Sequence, residues 1–147
     1  CALPICNAIE NLRPVGMDHA SLEEMLQELG LSFSEIAPEV QIGTWITPDA
    51  NAVGEVEISL YRFLRESVLN AIRHAYPRNI QITVDCDPGV SAAIRARVRD
   101  DGSGPLPAGQ PGLGQRGIQD RALAIGATYI PPYKQDGWTV TELRIPK

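Results

Sequence analysis

Hydrophobic positions recur along this chain with two distinct periods. Leu22, Met25, Leu26, Leu29, Phe33 and Ile36 follow one another at spacings of three and four, the stripe of an amphipathic helix. Ser21-Leu-Glu-Glu24 at its start matches a capping box, in which Ser21 accepts from the first turn and Glu24 reaches back. Gly30 is expected to kink this helix or end it early, and Pro38 to close it. Residues 40–46 alternate as a short strand, and Pro48-Asp-Ala-Asn51 reads as a loop. A second helix is expected over about residues 56–75, stopping before Pro77. Residues 79–84 and 94–99 then alternate with period two around the turn chemistry of Asp85-Cys-Asp-Pro-Gly89, which predicts an antiparallel hairpin. In its second strand Ile94, Ala96 and Val98 share one face and three arginines the other. After a Gly/Pro-rich stretch over 101–114 come a helix from about 116 to 125 and two closing strands, 127–130 and 138–145. A Pro-Pro and Asp-Gly turn region separates those strands. This order predicts an α/β fold, a two-layer sandwich with one mixed, mostly antiparallel sheet and helices on one face.

Composition narrows the function classes. The chain has 147 residues, 44% of them hydrophobic and 21% charged, as in one globular domain. Lys and Arg number 13 against 18 Asp and Glu, a net charge of −5 that disfavours nucleic acid or an anionic membrane as partner. No apolar run reaches the ~18–20 residues of a membrane span. Cys1, Cys6 and Cys86 form no C-x-x-C pair and read as reduced thiols. The first residue is Cys, so the chain is expected to be a fragment of a longer protein, one domain over 1–147 with a leading segment over 1–17.

The chemistry concentrates on the second helix and two glycine clusters. At ~100° per residue, Tyr61, Leu64, Val68, Ala71, Ile72 and Ala75 share one side of the helix. Glu66, Asn70 and Arg73 fall on the opposite side. They offer a carboxylate, a neutral oxygen ligand suited to Mg²⁺, and a guanidinium suited to phosphate. A solvated face with a weak Glu–Arg pair has the same pattern. His74 at the helix end and His19 near the start support no two-histidine metal site or nucleophilic triad. Asp100-Asp101-Gly102-Ser103-Gly104 ends the arginine-rich strand. There two glycines let backbone approach a flat ligand while a carboxylate accepts from an amine on its edge. Gly112-Leu113-Gly114-Gln-Arg-Gly117 opens a helix and suits phosphate oxygens. No strand immediately precedes it and no G-x-x-x-x-G-K-[ST] is present, so neither a dinucleotide fold nor a P-loop is supported.

Taken in order, these segments resemble the ATP-binding domain of the GHKL superfamily, shared by sensor histidine kinases, gyrase-type topoisomerases and heat-shock chaperones. The likeness is greatest to histidine kinases paired with helix-turn-helix response regulators. Leu12-Arg13-Pro14 looks like their leading segment, and Tyr61 to Ala75 like the N box. Asp100-Asp-Gly-Ser-Gly104 looks like the G1 box, and Gly112 to Arg121 like the G2 box with its helix. Departures are Arg65, Gln115, Asp120 and the pair Gly126-Ala127, where the family commonly has Gln, Leu, Glu and Gly-Gly.

The resemblance implies a Bergerat-type fold with ATP and Mg²⁺ as cofactors. It places Asn70 on Mg²⁺, Glu66 polarising a water or the attacking group, and Arg73 or His74 near phosphate. Asp101 would accept from the adenine amine, with Gly102 and Gly104 shaping that pocket. Gly112, Leu113, Gly114 and Gly117 would border the triphosphate, and Thr139 would help line the adenine pocket. The implied activity is transfer of the γ-phosphoryl group to a histidine on a separate phosphoacceptor and dimerisation domain. Neither His19 nor His74 sits in the acceptor context. The implied partners are those helices, a response regulator receiver domain and a second copy of the parent, with no nucleic acid contact. The domain is expected in the cytoplasm, with anchoring of its parent in the inner membrane left open. A serine-phosphorylating relative of anti-sigma type and a degenerate nucleotide-binding module are the alternatives.

Overall fold

A computed structural model describes residues 21–87, 89, 93–104 and 113–146, leaving out the side chains of 113 and 114. Its elements run α1 (Leu22–Ile36), β1 (Gln41–Ile46), α2 (Glu55–His74), β2 (Asn79–Asp87), β3 (Ala93–Asp100), α3 (Leu113–Ala124), β4 (Thr128–Gln135) and β5 (Trp138–Ile145). The five strands form one sheet in the order β1-β2-β3-β5-β4. Only the β1–β2 pair is parallel, because α2 carries the chain back across the sheet between them. The other pairs are antiparallel, which makes the sheet mixed as expected.

Period two decides which face the helices cover. Ile80, Ile82 and Val84 of β2, Ile94, Ala96 and Val98 of β3, and Leu143 and Ile145 of β5 are all buried. They join Met25, Leu26, Phe33, Leu60, Phe63 and Leu64 from α1 and α2 in one core. The opposite face is polar, and its arginines are paired rather than merely solvated. Asp85 accepts from Arg95 Nε at 2.8 Å and from Arg97 Nη2 at 2.9 Å, while Arg99 stacks 5.0 Å over the Trp138 ring.

The α1 capping box forms as expected, with Ser21 and Glu24 exchanging bonds of 3.1 and 3.0 Å. Three expectations need correction. Gly30 does not end α1, which runs on to Ile36. A Cβ there would stand 3.6 Å from the Thr44 methyl of β1, an ordinary contact, so the packing against β1 does not itself demand glycine. Ile36 at the helix end is exposed, not core. Pro131-Pro132 does not break the last hairpin, because β4 runs through both prolines. β4 is an edge strand with an irregularity between Ile130 and Tyr133, where missing N–H donors are tolerated. The reversal falls instead at Asp136-Gly137, both with positive φ (52° and 82°), the signature of a tight hairpin turn.

Candidate functional site

A cleft opens where α2 crosses the inner face of the sheet. Ser67, Asn70, Ala71 and His74 of α2 form its wall. Val98 and Asp100 of β3 and Thr139 and Thr141 of β5 form its floor, and Tyr129 and Pro132 of β4 close the far side. Gly104 and Gln115 lie at the rim. Asp100 and Thr139 are directly paired across the β3–β5 ladder, so a carboxylate and a hydroxyl stand side by side on the floor.

The two adjacent carboxylates at the end of β3 have opposite surroundings. Asp100 is buried (6% exposed) and accepts at Oδ1 from the Gly102 N–H at 2.9 Å. Burial pushes its carboxyl above the usual range, against the Gly102 bond and the Lys134 charge. Asp101 points away from the cleft. Its Oδ1 accepts from the backbone N–H groups of Arg78 and Asn79, both at 2.8 Å, and its Oδ2 from Asn79 Nδ2 at 2.7 Å. Partial burial would raise its carboxyl, but these bonds hold it below the usual range. The expectation that Asp101 faces a purine is therefore corrected. Asp101 fastens the end of β3 to the start of β2, and the carboxylate that lines the cleft is Asp100. The alternation that turns Ile94, Ala96 and Val98 inward turns Asp100 inward as well.

The other expected residues divide. Asn70, His74, Gly104 and Thr139 line the cleft; Glu66, Arg73, Gly102 and Gly117 do not. Arg73 is exposed at the end of α2, and Glu66 is half-buried where the field of Arg121 reaches it. Gly102 acts one step removed. A side chain there would collide with the Ala75 carbonyl, which accepts from Ser103 N–H at 2.8 Å and so joins the end of α2 to the glycine loop. Gly104 has φ +106°, and the Lys134 side chain lies 2.8 Å from where a Cβ would stand. Gly117 is inside α3, with the Arg121 guanidinium folded back 3.3 Å from the position its Cβ would take. Because α3 begins at Leu113 rather than near Arg116, the backbones of Leu113 and Gly114 belong to its first turn. Gly112, Leu12-Arg13-Pro14 and His19 lie outside the described residues.

Sequence reasoning missed Asp100, Ser67, Thr141, Tyr129, Pro132 and Lys134. Burial pushes the Tyr129 phenol up to about 12, so it stays neutral, and its ring meets Phe63 edge-on at 6.4 Å. Two hydroxyls of the cleft, Ser67 Oγ and Thr139 Oγ1, are buried without a hydrogen-bond partner among the described residues. A cleft with an acceptor-only carboxylate, two uncommitted hydroxyls, apolar side chains and a carboxamide at one edge suits a flat heterocycle carrying a polar tail.

The family model for the histidine kinase-, DNA gyrase B- and HSP90-like ATPases matches residues 55–128, from the start of α2 to the start of β4. The methanol utilization control sensor protein MoxY of Paracoccus denitrificans is 43% identical, over 95% of this chain and 33% of its own length. The sensor protein VraS of Staphylococcus epidermidis is 26% identical, over 92% of this chain and 38% of its own length. The chain thus spans about a third of the length of these two curated relatives. In fold it is similar to the Erythrobacter litoralis EL346 blue-light activated histidine kinase, at TM-score 0.71 and 19% identity, covering 86% of this chain and 45% of that one. It is similar too to the ATP-binding domain of PrrB from Mycobacterium tuberculosis, at TM-score 0.67 and 17% identity, covering 86% and 94%. With half of its length matched by the family model, this chain belongs to the histidine kinase-, DNA gyrase B- and HSP90-like ATPases.

Proposed function

We propose that the cleft binds ATP with Mg²⁺. The domain then passes the γ-phosphoryl group to a histidine on a separate phosphoacceptor and dimerisation domain of the same parent, for relay to a response regulator. The observation that carries this reading is the meeting of Asp100 and Asn70 on two walls of one cleft. Asp100 accepts from the exocyclic amine of adenine and thereby takes the role first given to Asp101. Asn70 lies one helical turn beyond Glu66 on α2, and its carboxamide oxygen is the hard, neutral donor that Mg²⁺ accepts beside phosphates and waters. The ion, when bound, offsets phosphate charge. His74 and the free N–H groups of the first turn of α3, Gly114 among them, supply donors toward the phosphate tail, with Gly112 just before that turn in sequence, Leu113 within it and Gly117 one turn on, bordering the site without a free donor. In the transfer the bond from the γ-phosphorus to its bridging oxygen breaks, a phosphorus–nitrogen bond forms on the acceptor imidazole, and ADP leaves. Glu66 polarises the attacking group, and the rest is positioning and charge.

The 43% identity to a sensor protein supports this over the serine-directed and degenerate alternatives. The parent is taken to be a homodimer with this domain in the cytoplasm; among the described residues no helix is long and apolar enough to cross a membrane. The test mixes the chain with an acceptor-helix domain and γ-labelled ATP–Mg²⁺. Acid-labile, base-stable label on the acceptor is expected. Acid-stable label would move the target to a hydroxyl, and tight ATP binding without transfer would leave a binding module.

A further inference from the structure

Serines inside helices ordinarily return their hydroxyl to the carbonyl four residues back. Two serines of α1 do so, Ser32 to Glu28 O and Ser34 to Gly30 O, both at 2.9 Å. Ser67 of α2 does not. It is 7% exposed, its Oγ has no partner among the described residues, and it lines the cleft. Thr139, 4% exposed on the floor beside Asp100, leaves its Oγ1 equally uncommitted. Leaving a buried hydroxyl unpaired is more destabilising than a typical hydrogen bond is stabilising, so such groups mark places where something else completes the bonding.

The chemistry of the missing partner follows from what Asp100 lacks. An ionised carboxylate only accepts, so it can hold an amine on a heterocycle but not the ring nitrogen beside it. A ring nitrogen needs a donor, and the hydroxyl from the helical wall supplies one. We propose that Ser67 is a purine-contacting residue: its hydroxyl donates to a ring nitrogen of the base, across at most one water, and adds to the hold of Asp100. This rests on the adenine-nucleotide reading of the cleft. It gives the helix that carries Asn70 and His74 toward the phosphate tail a second duty at the base.

The test compares Ser67→Ala with the unaltered chain in ADP titrations and in thermal unfolding without nucleotide. Loss of one such bond weakens ADP by about five- to tenfold. Because the hydroxyl has no partner among the described residues, the unfolding midpoint of the nucleotide-free variant stays level or rises. Ser67→Cys, close in size but a poor donor, follows Ser67→Ala. Inorganic triphosphate, which has no base, competes equally well for both chains. With purine riboside triphosphate, which lacks the amine but keeps the ring nitrogens, the loss persists. Unchanged ADP affinity in Ser67→Ala overturns the inference, as does a loss that tracks a lowered unfolding midpoint. If the unaltered chain binds no adenine nucleotide, the reading of the cleft falls with it; normal binding with an indifferent Ser67 removes this inference alone.

Discussion

Exchanging each of the two neighbouring carboxylates for its amide separates their duties. In Asp100→Asn the amide oxygen can keep the 2.9 Å bond from Gly102 N–H, which leaves the NH₂ group facing the cleft. A donor then meets the adenine amine, itself a donor, and one charge-assisted bond is lost. Such a bond is worth about 1.5–3 kcal/mol, or about 10- to 150-fold in the dissociation constant. Removing a carboxylate that burial strains should leave the unliganded fold no less stable. Asp101→Asn does the reverse. Its oxygen can keep the Arg78 and Asn79 backbone bonds, but the NH₂ group now opposes Asn79 Nδ2, 2.7 Å from the present Oδ2. The lost bond destabilises the chain by about 1–2 kcal/mol, the low end being favoured because the site is partly exposed. Nucleotide affinity, extrapolated to fully folded protein, should stay within about twofold. Calorimetric titration with ADP–Mg²⁺ and urea unfolding of both variants decide the matter. Equal loss of affinity in the two, or loss in Asp101→Asn alone, refutes the assignment.

Asn70→Ala should remove most of the Mg²⁺ dependence of ATP affinity while leaving adenosine binding unchanged, measured by titration with and without chelator. Gly102→Ala forces a methyl against the Ala75 carbonyl, so a loss of about 1–3 kcal/mol in unfolding free energy is expected, together with weaker nucleotide binding. The pH response of Asp100 has a definite sign: its raised value means the folded chain holds that proton longer than the unfolded one. Stability therefore falls as pH rises from the ordinary carboxylate range through the raised value, and Asp100→Asn abolishes that component. ADP affinity moves the opposite way, strengthening over the same rise as the acceptor ionises.

Much of this architecture is legible in the order of residues. Period two in 79–84 and 94–99, period 3.6 in 22–36 and 56–75, and the capping box at Ser21 each state their element locally. What sequence reading misses depends on neighbours that are remote along the chain. Pro131 and Pro132 look like a break because their edge position is a property of the whole sheet. Ile36 fits the stripe, yet it stays exposed at the end of α1, with no described residue covering it. Ser67 looks like an interruption of the buried arc of α2. Its reason is the floor of β3 and β5 beneath, more than 30 and 70 residues away along the chain. The Asp100 error has another origin. Two glycine-adjacent aspartates compete for one role in the motif, whereas the alternation already used for Ile94, Ala96 and Val98 extends to position 100 and decides between them.

That pair also shows how the site is held ready. A binding carboxylate is useful when it is desolvated and fixed in direction, and both conditions disfavour it in the empty fold. Asp100 meets them as the last inward residue of β3. The strand end would fray if Asp101 did not fasten it with three bonds, two from the backbone N–H groups of Arg78 and Asn79 and one from the Asn79 side chain. The Ser103–Ala75 bond then joins the same corner to the end of α2, where His74 stands and Asn70 lies one turn back. Floor and wall thus converge on one short loop, Asp101 to Gly104. A backbone displacement there, such as Gly102→Ala imposes, should move base and phosphate recognition together, whereas a change at Ser67 should touch the base alone.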